Sequence, residues 1–171
     1  NAFFLGESRR TAHVGGGITT ITATQYDNLV AKWGSPAWNR LKSYNYPARY
    51  VRHSNYVGRI DEYAFDPYPD SQWKLVPGLA DSSGVSFQSV NYTTRYWQEQ
   101  SSLLNLPVVT SSSTSAQKSA STFTVVAGLA DSNGFSFRDA SGNYLRHYNF
   151  RARFDANDGT STFAKDATFI A

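Results

Sequence analysis

Apolar and polar residues alternate along Val85-Ser86-Phe87-Gln88-Ser89-Val90, the period of a strand with one buried face. Clusters of Ser, Gly and Asn, such as Ala140-Ser141-Gly142-Asn143, place turns between stretches of this kind. The pattern also repeats over long distances. Gly78-Leu79-Ala80-Asp81-Ser82-Ser83-Gly84-Val85-Ser86-Phe87 returns as Gly128-Leu129-Ala130-Asp131-Ser132-Asn133-Gly134-Phe135-Ser136-Phe137. Tyr50-Val51-Arg52-His53 is matched by Tyr96-Trp97-Gln98-Glu99 and by Tyr144-Leu145-Arg146-His147. Asp70-Ser71-Gln72-Trp73 is matched by Ala120-Ser121-Thr122-Phe123 and by Asp166-Ala167-Thr168-Phe169. Matching phrases in one order define three repeats, about 39–84, 85–134 and 135–171.

Each repeat predicts four short strands. The first alternates as described, and the second carries the Tyr-x-Arg-His phrase. The third buries Ile60, Leu106 or Phe154, and the fourth buries Trp73, Phe123 or Phe169. Twelve strands in three copies that close on themselves leave no exposed edge, so the predicted fold is all-β, a β-trefoil. The third copy reaches its fourth strand at Phe169, and the repeat set is expected to be complete there. Trp73 and Trp97 align with apolar positions of the other copies and are expected in the core.

Residues 1–38 lie outside the repeats and are read as an extension packed on the trefoil domain 39–171. Asn1–Ile21 is rich in Gly and Thr, with Gly15-Gly16-Gly17 at its centre. Thr24 and Asp27 resemble a capping box, and Tyr26, Leu29, Val30 and Trp33 share one helical face before Gly34 and Pro36. A short helix is therefore expected at about Gln25–Trp33, with Trp33 and Trp38 pinning the extension to the trefoil. A start at Asn1, without Met, fits removal of a signal segment and a secreted protein.

Composition narrows the function classes. Hydrophobic residues make up 40% of the chain, charged residues 17% and aromatic residues 15%, which excludes a disordered, charge-rich chain. No apolar run is long enough for a membrane-spanning helix. The absence of Cys excludes disulfides, thiolate metal sites and a Cys nucleophile. The net charge of +3 is spread out, Arg9-Arg10 being the only adjacent basic pair, so no stripe for nucleic acid is expected. Three scattered His predict no metal site, and Asp158-Gly159-Thr160 reads as a turn rather than a calcium loop. No cofactor is expected.

One polar constellation comes and goes with the repeats. The first has His53, Asn55, Tyr56 and Asp70; the third has His147, Asn149, Phe150 and Asp166. In the second, Glu99, Ser101, Ser102 and Ala120 stand at those positions, while the framework residues Tyr96, Leu106 and Phe123 stay apolar or aromatic. A single His is as readily a core residue bonded to backbone. Joint loss of His and Asp from one copy instead marks two sites and one degenerate position. Arg52 and Arg146 alternate with His along the strand and are expected to face the other way, as a surface charge or a link to a neighbouring repeat.

The phrases Tyr144-Leu145-Arg146-His147-Tyr148-Asn149-Phe150, Asp158-Gly159-Thr160 and Asp166-Ala167-Thr168-Phe169, together with the Gly-Leu-Ala-Asp-Ser-x-Gly-x-Ser-Phe junctions, resemble the arabinofuranose-binding domain family. This is carbohydrate-binding module family 42, the β-trefoil found at the C-terminus of α-L-arabinofuranosidases. The resemblance covers about residues 39–171 and implies binding of arabinofuranose side chains on arabinoxylan or arabinan. The residue types agree: Asp accepts from hydroxyls, His donates or accepts, and Tyr or Phe walls the sugar's apolar face.

A glycosidase would need paired carboxylates at set separations, for which Asp66 and Asp70, or Asp155, Asp158 and Asp166, are the candidates. No nucleophile elbow, zinc-helix motif or phosphate loop is present, and His13 has no evident partner. The expectation is a non-catalytic, monomeric module that binds an arabinofuranose-containing polysaccharide, with no nucleic acid or membrane partner. The alternatives are a secreted lectin-like trefoil for another glycan or a protein, and chemistry supplied by residues 1–38.

Overall fold

The structure, a computed structural model, describes residues 9–14, 17–22 and 38–171, with side chains from Arg40 onward. The helix expected at Gln25–Trp33 lies outside the described residues. Strands β1 (Arg9–Val14) and β2 (Gly17–Thr22) pair antiparallel, with Val14 opposite Gly17. The Gly- and Thr-rich segment thus contains a hairpin that the repeat pattern did not announce. Thr11, Ile18, Thr19, Thr20 and Ile21 are β-branched and suit extended backbone.

In the first repeat, β3 (Trp38–Asn39) and β4 (Lys42–Ser43) are two pieces of one strand position. They are followed by β5 (Arg49–Ser54), β6 (Val57–Glu62), a 3-10 turn at Tyr68–Ser71, and β7 (Trp73–Pro77). The second repeat has β8 (Val85–Ser89), β9 (Gln98–Gln100), β10 (Leu103–Asn105), helix α1 (Ser115–Ala120) and β11 (Thr124–Ala127). The third has β12 (Phe135–Arg138), β13 (Tyr144–Tyr148), β14 (Arg151–Asp155), helix α2 (Ser161–Asp166) and β15 (Phe169–Ile170). The twelve expected strand positions are all occupied, the first by two short pieces. Trp38 pairs with Lys74 on β7, so it belongs to the barrel and not to the extension.

First and fourth strands close a ring. β3 pairs with β7, β7 with β8, β11 with β12, β12 with β15, and β15 with β4; the Val85–Phe123 bridge joins β8 to the second repeat's fourth strand. The hairpins β5–β6, β9–β10 and β13–β14 cap one end. There β6, β10 and β14 pair with one another through Val57–Asn105, Leu103–Arg153 and Arg151–Arg59. This is the β-trefoil the repeats predict.

Alternation decides what each hairpin buries: Val51 and Ile60, Leu104, then Leu145 and Phe154 point inward, joined by Leu106 just past β10. Trp73, Trp97, Phe87, Phe123 and Phe169 meet them, with Trp97 stacked on Phe87 at 4.0 Å between centroids. Each such burial contributes roughly 1.5–3 kcal/mol. The long repeated phrase also has an architectural job. Gly78 and Gly128 donate to Gly84 and Gly134, and a Cβ at either would collide with the carbonyl of Asp81 or Asp131. Ser86 and Ser136 tie these loops down, accepting from Leu79 and Leu129 and donating to the carbonyls of Ser121 and Ala167.

Helices α1 and α2 were not anticipated. Thr114 and Gln117 form a reciprocal capping box on α1, and Thr160 accepts from the Phe163 amide to cap α2. Thr114-Ser115-Ala116-Gln117 carries that signal in the sequence. At six residues each, the helices are too short to leave a periodic apolar face.

Candidate functional site

Each hairpin tip holds two consecutive residues with positive φ: Asn55 and Tyr56, Ser101 and Ser102, Asn149 and Phe150. Two such residues reverse the chain with the twist that strand pairs require. Because the second repeat shares the geometry, it belongs to the fold. Asn55 and Asn149 are exposed turn residues and do not join the His–Asp clusters.

In the first repeat, His53 Nε2 lies 3.2 Å from Asp70 Oδ1, and the Asp70 Oδ2 accepts from Arg52 Nη2 at 2.7 Å. Asn91, from the second repeat, donates its Nδ2 to Asp70 Oδ1 at 2.7 Å. The third repeat reproduces the cluster. Arg146 Nη2 donates to Asp166 Oδ2 at 2.7 Å, His147 Nε2 lies 3.5 Å from Oδ1, and Asn45 Nδ2 of the first repeat donates to Oδ1 at 2.8 Å. The carboxylates are carried by the 3-10 turn in one case and by the last residue of α2 in the other.

The expectation that Arg52 and Arg146 face away from the site is corrected. Their Cβ atoms alternate with those of the histidines, but the long side chain turns back along its own strand. Arg52 Nε donates to the His53 carbonyl at 3.0 Å, which brings the guanidinium to the same carboxylate that His53 faces. The pair lies within one repeat and is not a link to its neighbour. Phe65 lies 4.4 Å from the Arg52 guanidinium, and Phe163 lies 5.0 Å from that of Arg146.

The asparagines are the residues that sequence reasoning missed. Each sits in the loop after a repeat's first strand and completes the site of the preceding repeat. Asn91 Oδ1 accepts from Ser89 Oγ at 2.8 Å, and Asn45 Oδ1 from Ser43 Oγ at 2.9 Å. The next residue, Tyr92 or Tyr46, places its ring edge-on to the histidine at 5.5 or 5.4 Å. Both rings are open to solvent, Tyr92 at 41% and Tyr46 at 44%. They meet the hairpin aromatics edge-on, Tyr92 with Tyr56 at 5.4 Å and Tyr46 with Phe150 at 5.6 Å. Arg95 lies over Tyr56 at 3.6 Å and Arg49 over Phe150 at 3.8 Å, fixing those rings from behind. The signal was legible as Ser-x-Asn-Tyr-x-x-Arg-Tyr, which occurs at Ser43–Tyr50 and Ser89–Tyr96.

Proton positions follow from this network. A carboxylate oxygen cannot donate, so Asn91 must present its amide N–H to Asp70 and its oxygen to His53 Nε2, 3.1 Å away. His53 then donates from Nε2, and the same logic makes His147 a donor to Asn45 Oδ1 at 2.9 Å. Burial pushes both imidazole pKa values below the ordinary histidine value. Asn91 and Asp70 oppose that shift at His53, as Asp166 does at His147; Arg146 and Arg49 reinforce it at His147. The rings are neutral near pH 7. Each carboxylate has about four lone-pair positions, and two protein donors are bonded to it, the arginine and the asparagine. A recessed acceptor beneath exposed aromatic walls remains available to a hydroxyl-bearing ligand.

The second repeat differs in both halves. Gln98 replaces the arginine, is buried, and donates to the Gln117 carbonyl and Ser121 Oγ, both at 3.0 Å. Glu99 Oε1 accepts from the Ser102 amide at 2.6 Å, and Ala120 ends α1 where Asp166 ends α2. The adjoining third-repeat loop has Asp139, whose Oδ1 accepts from the Ser141 and Asn143 amides at 2.9 Å each. A local turn occupies the place of Asn and Tyr.

The molecule is thus a β-trefoil module with two matched polar–aromatic clusters at repeat boundaries. A family model described as the alpha-L-arabinofuranosidase B (ABFB) domain matches residues 28–68, 39–96 and 87–171, and the chain belongs to that domain family. It is 47% identical over 97 residues to a probable alpha-L-arabinofuranosidase B of Aspergillus fumigatus, covering 54% of this chain and 19% of the relative. An alpha-L-arabinofuranosidase of Hypocrea jecorina is 46% identical over the same length and coverage. The match therefore spans about a fifth of these relatives. A solved arabinofuranosidase complexed with arabinofuranosyl-alpha-1,2-xylobiose aligns with TM-score 0.70 and 25% identity over 78% of this chain and 30% of its own. The BEL β-trefoil aligns with TM-score 0.57 and 14% identity over 78% of this chain and 90% of its own, a likeness of fold alone.

Proposed function

We propose that this domain is a non-catalytic carbohydrate-binding module that holds arabinofuranose side chains of arabinoxylan or arabinan. The pockets are the two clusters, one around His53, Asp70 and Tyr56, the other around His147, Asp166 and Phe150. Asn91 with Tyr92, and Asn45 with Tyr46, complete them from the next repeat. The observation that carries this reading is the concerted loss at the second position, where carboxylate, imidazole, guanidinium, amide and aromatic wall are all replaced while the core is kept.

A furanose is neutral, small and ringed by hydroxyls. The lone pairs left on each aspartate accept from sugar hydroxyls, and the paired aromatic rings cover the apolar face of the sugar. Asp70 and Asp166 are each held in an ion pair with an arginine of their own repeat, as fixed acceptors for hydroxyls. Names of the fungal relatives support arabinofuranose as the sugar, and secretion and a monomeric state fit a wall-polysaccharide binder. Small, open pockets imply weak single-site binding, on the order of millimolar or about −4 kcal/mol. A branched polymer occupies both and gains apparent affinity through effective concentration.

Calorimetry with methyl α-L-arabinofuranoside tests the reading. Two equivalents of sugar are expected, with no hydrolysis of aryl arabinofuranosides. A glycan array with signal on pyranose glycans only would replace this reading with a lectin-like one.

A further inference from the structure

The segment between β6 and the 3-10 turn differs from its counterparts. In the third repeat that segment is polar, Ala156-Asn157-Asp158-Gly159-Thr160, whereas the first repeat has Tyr63 and Phe65 there and Tyr68 opening the 3-10 turn. Tyr63 meets Tyr50, Phe65 and Tyr68 edge-on at 6.4, 5.9 and 5.7 Å. The Arg40 guanidinium lies among them, 3.8 Å from the Tyr50 centroid, 4.4 Å from Tyr68 and 5.0 Å from Tyr63. Arg40 is itself tethered to Ser71 Oγ at 3.0 Å, beside Asp70 in sequence. A ring so braced loses little freedom on binding. Tyr63 is nevertheless 54% exposed, more than either tyrosine of the two clusters' walls contributed by the Asn-Tyr loops. The group is continuous with the first pocket, because Phe65 packs on the Arg52 guanidinium that holds Asp70.

We propose that Tyr63 is a stacking platform for a pyranose residue of the backbone that carries the arabinofuranose held in the first pocket. A flat, half-exposed phenol braced by neighbouring rings suits the C–H face of a xylopyranose ring, and its hydroxyl can bond the sugar's edge. Arg40 and the surrounding rings are positioning residues. The two pockets are then unequal: the first reads a side chain together with its backbone, and the third reads the side chain alone. This rests on the arabinofuranose reading of the first pocket.

The test is a site-resolved NMR titration of the full chain, following amides of 53–58 for the first pocket and 147–152 for the third. The probes are methyl α-L-arabinofuranoside and xylotriose bearing one arabinofuranosyl substituent. The substituted xylotriose is expected to bind the first pocket about fivefold more tightly than the monosaccharide, the scale of one aromatic contact. At the third pocket the two probes bind alike. Tyr63→Ala abolishes the fivefold ratio without changing monosaccharide affinity, and Tyr63→Trp keeps it. Tyr63→Leu, which retains apolar bulk without a flat face, serves if the alanine variant does not fold. Equal ratios at both pockets, or a ratio that survives Tyr63→Ala or Tyr63→Leu, would overturn the platform and leave the arabinofuranose reading standing. Absence of monosaccharide binding to the wild-type chain would overturn that reading and the platform with it.

Discussion

The first and second repeats share a backbone but not a chemistry. Both place two positive-φ residues at the hairpin tip, a buried aromatic at the start of the fourth strand, and a polar side chain one position before the His or Glu. In the first repeat that polar residue is Arg52 bound to Asp70; in the second it is Gln98 bound to Ser121 Oγ and the Gln117 carbonyl. Each solution is internally satisfied, so the charged cluster is not required for the trefoil. A charge removed without its partner, however, leaves the other buried and without its closest counter-charge. Ser71 stands in the first repeat where Ser121 stands in the second, so the neutral solution is available there too.

The largest expected effect breaks the comparison at its carboxylates. Changing Asp70 and Asp166 together to Ala should abolish retention on arabinoxylan, and either change alone should leave a sugar stoichiometry of one by calorimetry. The presence of Ala120 in the second repeat suggests that Ala is harmless at this position, but the Arg–Asp pair alters that expectation. Asp70→Ala leaves Arg52, whose side chain is 10% exposed, with only the more distant Asp61 carboxylate, 3.9 Å from its Nε, and should cost about 3 kcal/mol in chemical denaturation. Arg52→Gln with Asp70→Ala copies the second repeat and should recover most of that stability while remaining unable to bind. A single Asp70→Ala variant as stable as wild type would show that the buried pair is not what holds the turn.

A second, smaller effect tests whether the sites cross repeat boundaries. Asn91→Ala should weaken sugar binding at the first pocket about tenfold, since it removes a donor to Asp70 and the acceptor for His53. The third pocket should be untouched, and Asn45→Ala should do the converse. Loss confined to the second repeat's own hairpin would contradict the assignment.

The histidines give a gentler effect. Burial lowers both pKa values in the folded chain, so the unfolded chain binds more protons in mild acid. The stabilising contribution is complete above the unfolded histidine value, near pH 6.5, and is lost as pH falls from there through the lowered folded values. The midpoint of thermal unfolding should fall from pH 7 towards pH 5, and His53→Gln or His147→Gln should flatten that slope. An unchanged slope in both variants would assign the acid sensitivity elsewhere.

The smallest expected effect is none. Glu99→His with Ala120→Asp restores two residues of the second pocket but not Arg, Asn or Tyr, and sugar stoichiometry should stay at two. A third equivalent would mean that the loop of the following repeat is dispensable.

The sequence by itself determined the threefold architecture. Repeated phrases and strand alternation are written at short range, and Trp73, Phe123 and Phe169 could be placed in the core because copies of one element bury the same face. It also marked His53, Asp70, His147 and Asp166, since joint loss in one copy is visible without coordinates. Only tertiary structure decided how each site is assembled. A turn joins residues that neighbour in sequence, but closing the ring sets Asn91 against Asp70, and Asn45 against Asp166 at the far end of the chain. Read within single repeats, His and Asp are paired in copies one and three and the Asn-Tyr phrase in copies one and two, a mismatch with no evident meaning. Closure shifts the second pattern by one repeat, and both then fall on the same two boundaries. The direction of Arg52 was decided in the same way, because a long side chain follows the nearest buried carboxylate and not the alternation of its Cβ.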